Sequence, residues 1–355
     1  MNAAGLMKIA SVASAFPELY HDQAQVTEVL ERRWALDPEA VRRLRALHAH
    51  CGVQGRHSVL PLERYFDIER FGEFNDVWIE NALQLGERAI RSALERAQLE
   101  PREIDLLIFT TVTGLAAPSL DARLMNRIDF RPDTRRMPLF GLGCVAGAAG
   151  ISRAADFLAA RPRGAALLLS VELCSLTFQR DDRRPAHVIS TGLFGDGAAA
   201  TVIVGAERAA AGPRIRASRS VFYPDTEDMM GWQISERGFS LVLSPDVPAI
   251  ARERIGPDVE AFLAEHGLAR GDIDFWVCHP GGPKVLEAAG QSLGLTREQL
   301  GISWDSLRRV GNLSSASVLH VLERTLAERP PPRGSKGVLL AMGPGFCSEV
   351  LLLEA

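Results

Sequence analysis

The sequence predicts an α/β protein made of two copies of one βαβ-rich half. Three observations carry that expectation. Short β-rich runs alternate with helical stretches along the chain, two segments of the first half recur in the second at nearly one offset, and each recurrence is followed by an apolar, buried-looking strand. The 355 residues suffice for two ordinary domains with sizeable cores or for one large duplicated unit.

The expected strands are IDLLIFTTV (104–112), AALLLSVEL (165–173), ATVIVG (200–205), IDFWVCH (273–279), GVLLAMG (337–343) and EVLLLEA (349–355). Between them, WIENALQLGERAIRSALERA (78–97) and VEAFLAEHG (259–267) carry helical patterns. The opening MNAAGLMKIASVASAFP faintly mimics a signal peptide. Its apolar stretch is short and broken by small and polar residues, so a first β-strand is expected there.

The repeat shows at two places. REIDLLIFTTVTG (102–114) echoes GDIDFWVCHPGGP (271–283), with Asp105 and Asp274 in register 169 positions apart. GCVAGAAGISRAADFLAA (143–160) matches GNLSSASVLHVLERTLAE (311–328) at an offset of 168. Both are a glycine, one polar residue, a string of small residues and an amphipathic helix. GAALLLSVELC follows the first copy and KGVLLAMGPGFC the second. The break is expected in ERAAAGPRIRA (207–217), giving halves of 1–210 and 211–355. ERPPPRGSKG (328–337) reads as a helix stop before a strand.

Composition excludes several function classes. Charged residues are 24% and hydrophobic residues 46%, the balance of a folded globular chain, and a net charge of -4 argues against a nucleic-acid coat. The five cysteines (Cys51, Cys144, Cys174, Cys278, Cys347) are widely spaced with no CxxC, so no disulfide framework or zinc site is expected. That usage fits a reducing compartment, and a cytoplasmic protein is expected. No apolar run approaches the roughly 20 residues of a membrane span.

In GLGCVAGAAG (141–150) a single cysteine stands among small and apolar residues. Alone, Cys144 reads as a packing residue where a helix meets a sheet. The duplication changes that, because Cys144 occupies the place of Asn312 in the second half. Symmetry brings the two helix starts together, and close packing alone would not require a thiol facing an amide. A thiol at a helix N-terminus gains from the partial positive charge there, which favours thiolate. His279 ends a buried strand before the rigid PGGP turn, at a strand's carboxyl end, where α/β folds place catalytic groups. Separately, His279 reads as a core histidine and Asn312 as a helix cap. Together the three form a Cys–His–Asn set of nucleophile, general base and amide donor.

GLGCVAGAAG, FGDGAAATVIV (194–204), FWVCHPGGP (275–283), GNLSSASVL (311–319) and GPGF (343–346) resemble the chalcone synthase-like type III polyketide synthases, in the family's order and spacing over nearly the whole chain. The resemblance implies a thiolase-like, five-layer αβαβα fold and a homodimeric acyltransferase. An acyl-CoA starter would load onto Cys144. His279 and Asn312 would hold the malonyl-CoA thioester carbonyl and stabilise the enolate left by decarboxylation. No metal or organic cofactor is implied beyond the CoA thioesters. The ketoacyl synthase III relatives typically carry HQAN in place of HPGG and condense once on a carrier protein. Thiolases use a second catalytic cysteine, and GPGFC, which holds Cys347, is not their pattern. An inactive thiolase-fold binding protein is the remaining alternative, against which the intact set argues.

Further positions follow from the resemblance alone. Phe194 matches a gatekeeper phenylalanine between CoA tunnel and cavity, whereas Leu241 stands where plant enzymes carry a second. Cys174 and Thr177 match cavity-lining positions, and Glu172 and Ser314 match positions linked to a cyclisation water network. Val112 stands where that network expects threonine, and Ala117 replaces a methionine that reaches the partner's cavity. Arg56, Lys284, Gly281 and Gly282 are the candidates for contact with CoA, the cations through its phosphates. Leu241 and Cys174 together suggest an alkyl channel, hence a fatty acyl starter and an alkylpyrone or alkylresorcinol product.

Overall fold

The computed structural model describes residues 6–355, so the MNAAG that opens the expected first strand lies outside the described residues. The first part of the chain runs β1 (Lys8–Ala15), β2 (Leu19–Asp22), α1 (Gln23–Arg33), α2 (Pro38–His50), β3 (Gly55–Ser58) and α3 (Phe71–Ala97). Then come β4 (Leu106–Thr111), α4 (Leu120–Leu124), β5 (Arg135–Phe140), α5 (Ala146–Ala159), β6 (Ala165–Leu173), α6 (Pro185–Leu193) and β7 (Asp196–Val204). A loop leads to β8 (Arg214–Phe222), the hairpin β9 (Met230–Ser235) and β10 (Gly238–Leu243), and α7 (Val247–Glu265). The chain closes with β11 (Phe275–Cys278), α8 (Pro283–Leu293), α9 (Gly301–Val310), α10 (Ser315–Glu328), β12 (Lys336–Gly343) and β13 (Cys347–Glu354).

Nine strands are ordered β11-β12-β13-β8-β1-β7-β6-β4-β5. Two blocks within that order repeat one pattern. β4 and β6 are parallel, as are β11 and β12. β7 runs antiparallel to β6 and β1 to β7, just as β13 does to β12 and β8 to β13. The blocks meet through one pairing, Lys8 with Arg214. The two aspartates matched in sequence do the same work. Asp105 accepts the Ala165 N–H at 3.0 Å at the start of β6, and Asp274 accepts the Lys336 N–H at 2.8 Å at the start of β12.

The core divides into layers because alternate residues of a strand point to opposite faces. On one outer face, Leu83 and Ile90 of α3 pack on Leu107 and Leu167. In the middle, Ile151 of α5 and Leu319 of α10 lie between Ile108 and Leu168 of one block and Leu339 and Leu351 of the other. On the far face, Phe262 of α7 and Leu286 of α8 cover Val338 and Leu340. These are the five layers αβαβα. A strand sandwiched between helices must be apolar on both sides, which is why β6 and β12 stand out in the sequence. By contrast β5, β8 and the β9–β10 hairpin carry exposed residues, and the sequence predicts no strand there. Both helices foreseen outside the repeats are longer than their sequence patterns.

The small residues after Cys144 serve the central layer. A Cβ on Gly147 would lie 2.3 Å from the Ser315 carbonyl oxygen, so only glycine lets the starts of α5 and α10 come this close.

Candidate active site

Cys144 sits in a single 3-10 turn, Gly143–Val145, that feeds α5. Gly143 has φ 54°, and a Cβ there would come within 2.6 Å of the Pro344 ring, so the GPGF loop presses on this turn. His279 follows β11 directly and continues its ladder, donating its N–H to the Leu340 carbonyl at 2.8 Å. Asn312 lies just before α10. Its N–H reaches the Leu193 carbonyl at 2.9 Å and its carbonyl accepts from Gly195 at 3.0 Å, a parallel bridge that ties it to Phe194.

These three elements converge. The Asn312 Nδ2 donates to the Gly281 carbonyl at 3.1 Å, joining Asn312 to the turn that holds His279. A Cβ on Gly281 would lie 3.4 Å from His279 Nε2, so this glycine borders the imidazole. Cys144 Sγ lies 3.7 Å from Ser314 Oγ. Cys144, Asn312 and Ser314 thus share contacts, and Gly281 links them to His279. Ser314 adopts φ 47°, ψ -126°, a conformation costly for a residue with a Cβ. That strain turns its N–H onto Asn312 Oδ1 at 2.8 Å.

The electrostatics differ from the thiolate expected at a helix start. Burial pushes the Cys144 thiol up to about 12, against the opposing pull of the neighbouring Ser314 and Asn312 side chains. Burial likewise drives His279 down to about 3. Loss of water thus opposes charge on both groups, against the pull of the helix terminus. The imidazole is 3% exposed and neither ring nitrogen has a hydrogen-bond partner among the described residues. A buried ring left so is free to take up a proton or to donate to a bound oxygen.

Glu172 lies beneath, fully buried, and burial raises its carboxyl to about 7. Its Oε2 accepts from Thr113 Oγ1 at 3.0 Å, the Val112 N–H at 3.1 Å and Thr111 Oγ1 at 3.3 Å. Ser315 donates to Oε1, and Ser315 Oγ lies 2.6 Å from Ser170 Oγ. Thr111 and Thr113 flank Val112 and supply hydroxyls where the sequence suggested one was missing. Neither they nor Ser315 stood out in the sequence, since only the pairing of β4, β6 and α10 gathers them.

Phe194, Cys174, Thr177 and Arg56 line a mostly apolar pocket of about 80 Å³ that opens to solvent, together with Val26, Leu30, Phe66 and Phe178. Thr177 spends its hydroxyl on the Cys174 carbonyl at 2.7 Å. Leu241 pairs with Trp232 on the β9–β10 hairpin and does not line this cavity. Arg56 corrects the expectation of a phosphate contact at a tunnel mouth. It is 5% exposed and donates to the carbonyls of Thr191 and Gly192 in the last turn of α6. Those carbonyls lack helical partners, and a buried guanidinium satisfies them. Lys284 is exposed in the first turn of α8, two residues after Gly282.

The comparisons with known proteins agree with this geometry. The family model for the N-terminal domain of chalcone and stilbene synthases matches residues 1–208, and that for the C-terminal domain matches 214–355. A 1,3,6,8-tetrahydroxynaphthalene synthase of Streptomyces peucetius subsp. caesius is 49% identical over 98% of this chain and 92% of its own length. An alpha-pyrone synthesis polyketide synthase-like protein of Mycobacterium tuberculosis is 32% identical over 90% of this chain and 84% of its own. The crystal structure of 1,3,6,8-tetrahydroxynaphthalene synthase from Streptomyces coelicolor A3(2), a bacterial type III polyketide synthase, matches with a TM-score of 0.93 at 33% identity, covering 98% of this chain and 99% of that one. With its thiolase-like fold, the chain belongs to the chalcone and stilbene synthase family and is a type III polyketide synthase, an acyltransferase-type condensing enzyme.

Proposed function

We propose that Cys144 carries the growing chain and that His279 and Asn312 activate malonyl-CoA for each extension. The observation that supports this best is the cluster of Cys144 Sγ, the Asn312 carboxamide and the unpartnered imidazole of His279. In loading, His279 takes the thiol proton, the sulfur attacks the starter thioester, and CoA leaves as its thiol once reprotonated. Malonyl-CoA then places its thioester oxygen on His279 and Asn312. Carbon dioxide departs, and its bonding electrons form an enolate held by those donors. The enolate carbon attacks the acyl-Cys144 carbonyl, and Cys144 leaves as thiolate. Transfer of the lengthened chain back to Cys144 repeats the cycle, with the two CoA thioesters as the only small-molecule partners. A homodimer in the cytoplasm completes the reading. Cys144→Ala should abolish acyl-enzyme and product while retaining some malonyl-CoA decarboxylation. Polyketide formed by that variant would refute the assignment.

The starter admits two readings. The likeness to tetrahydroxynaphthalene synthases favours assembly from two-carbon units alone, which leave oxygen on alternate carbons of a fused aromatic product. The apolar cavity beside Cys174 favours an alkyl tail and an alkylpyrone or alkylresorcinol instead. Mass spectrometry of products separates them. Tetrahydroxynaphthalene from malonyl-CoA as sole substrate supports the first, and incorporation of palmitoyl-CoA with no such product supports the second.

A further inference from the structure

We propose that Ser317 is a positioning residue that sets the orientation of the Asn312 carboxamide. The inference rests on the reading of Asn312 as a donor to the malonyl thioester. Ser317 is 0% exposed, in the first turn of α10, within the small-residue run where it looks like another packing position. Its Oγ accepts the Leu313 N–H at 2.6 Å and donates to Asn312 Oδ1 at 3.3 Å. A hydroxyl has one proton, and here it goes to the amide oxygen. The Ser314 N–H donates to the same oxygen at 2.8 Å.

Two donors on one atom decide which end of the carboxamide is oxygen. Nδ2 must then face the other way, where it donates to the Gly281 carbonyl at 3.1 Å and retains a second N–H for the site. Rotating the amide by half a turn would set its NH2 against the Ser314 N–H and its oxygen against the Gly281 carbonyl. Ser317 thus acts through Asn312 and touches no reacting atom. Its loss should weaken enolate stabilisation and leave loading of Cys144 alone, because the sulfur is held by other contacts.

The test measures malonyl-CoA decarboxylation and, separately, acylation of Cys144 by a starter acyl-CoA. It compares the wild type, Ser317→Ala, Ser317→Cys, Asn312→Ala and the double variants. Ser317→Ala should lower kcat for decarboxylation about three- to tenfold, the range of one buried hydrogen bond. KM for malonyl-CoA and Cys144 acylation should each stay within about twofold. Ser317→Cys keeps a weak donor at similar volume and should recover part of the loss, and it carries the test if the alanine variant does not fold. In the Asn312→Ala background neither Ser317 variant should have any further effect. Equal loss of acylation and decarboxylation, no loss at all, or an undiminished effect on top of an impaired Asn312→Ala would overturn the proposal alone. An Asn312→Ala enzyme that decarboxylates at the wild-type rate would overturn the reading of Asn312 and the proposal with it.

Discussion

Glu172 and Ser315 are joined by a buried hydrogen bond that crosses from one half of the chain to the other, linking β6 to the first residue of α10. The carboxyl is raised from an ordinary value of 4.5 to about 7, chiefly by burial. A carboxyl raised in the folded state favours folding most below its unfolded value, and that contribution is lost as pH rises through the folded value. Glu172→Gln removes this dependence. From pH 5 to pH 8, the stability of the wild type should fall relative to Glu172→Gln by about 2–3 kcal/mol, read from urea unfolding. A difference constant with pH would mean the folded carboxyl is ionised throughout. Buried His48, His187 and His279, each lowered by burial, act in the opposite direction as pH falls below 6.5, and cancel in this comparison.

His279 and Asn312 should separate kinetically. Asn312→Ala removes one donor to the enolate oxygen, a loss of about 100- to 1000-fold in decarboxylation, and spares loading of Cys144. His279→Ala should harm both steps, since in the proposed reaction the imidazole is also the base for the thiol. Trapped acyl-enzyme, quantified by intact-protein mass after rapid quench, checks this. Equal loss of acyl-enzyme in the two variants would contradict the division.

The cavity beside Cys174 makes a prediction about starter length. Each buried methylene contributes about 0.8 kcal/mol, so a tail four carbons longer gains roughly 3 kcal/mol if the cavity receives it. Cys174→Phe should depress kcat/KM for palmitoyl-CoA far more than for hexanoyl-CoA, because overpacking penalises only chains that reach the site. A wild type that ignores palmitoyl-CoA, or a variant that loses both equally, would remove the alkyl channel and leave the condensing chemistry standing.

Gly147→Ala tests the approach of α5 to α10. Its Cβ would meet backbone, the Ser315 carbonyl oxygen at 2.3 Å, so helices and not a flexible side chain must move. A loss of about 1–3 kcal/mol in stability is expected from thermal or urea unfolding, accompanied by slower condensation because Ser315 and Asn312 shift with α10. Unchanged stability and unchanged turnover would show that the contact can relax freely.

Much of the fold is legible because its strands lie between helix layers and must be apolar on both faces, as β6 and β12 are. Where a strand has an exposed face the signal fades. Arg135–Phe140 and Arg214–Phe222 mix arginines and other polar residues with apolar ones, so a search for continuous apolar runs passes over them. The site divides similarly. His279 and Asn312 sit in the copies of segments whose register could be read, while Thr111, Thr113, Ser315 and Ser317 are ordinary small polar residues until the strands and α10 bring them together. Arg56 shows the converse, a cation whose partners are two helix carbonyls that no spacing reveals.

By itself, the sequence determined the α/β class, the duplication, and the equivalence of Cys144 with Asn312, because hydrophobic period and repeated register are properties of the linear chain. Tertiary structure alone decided how strongly burial opposes charge on the thiol and imidazole, since that depends on water excluded by residues distant in sequence. It also decided which donors hold Glu172 and which way the Asn312 amide faces. Those outcomes depend on hydrogen bonds across elements, whose partners exist only after the two halves have closed on one another.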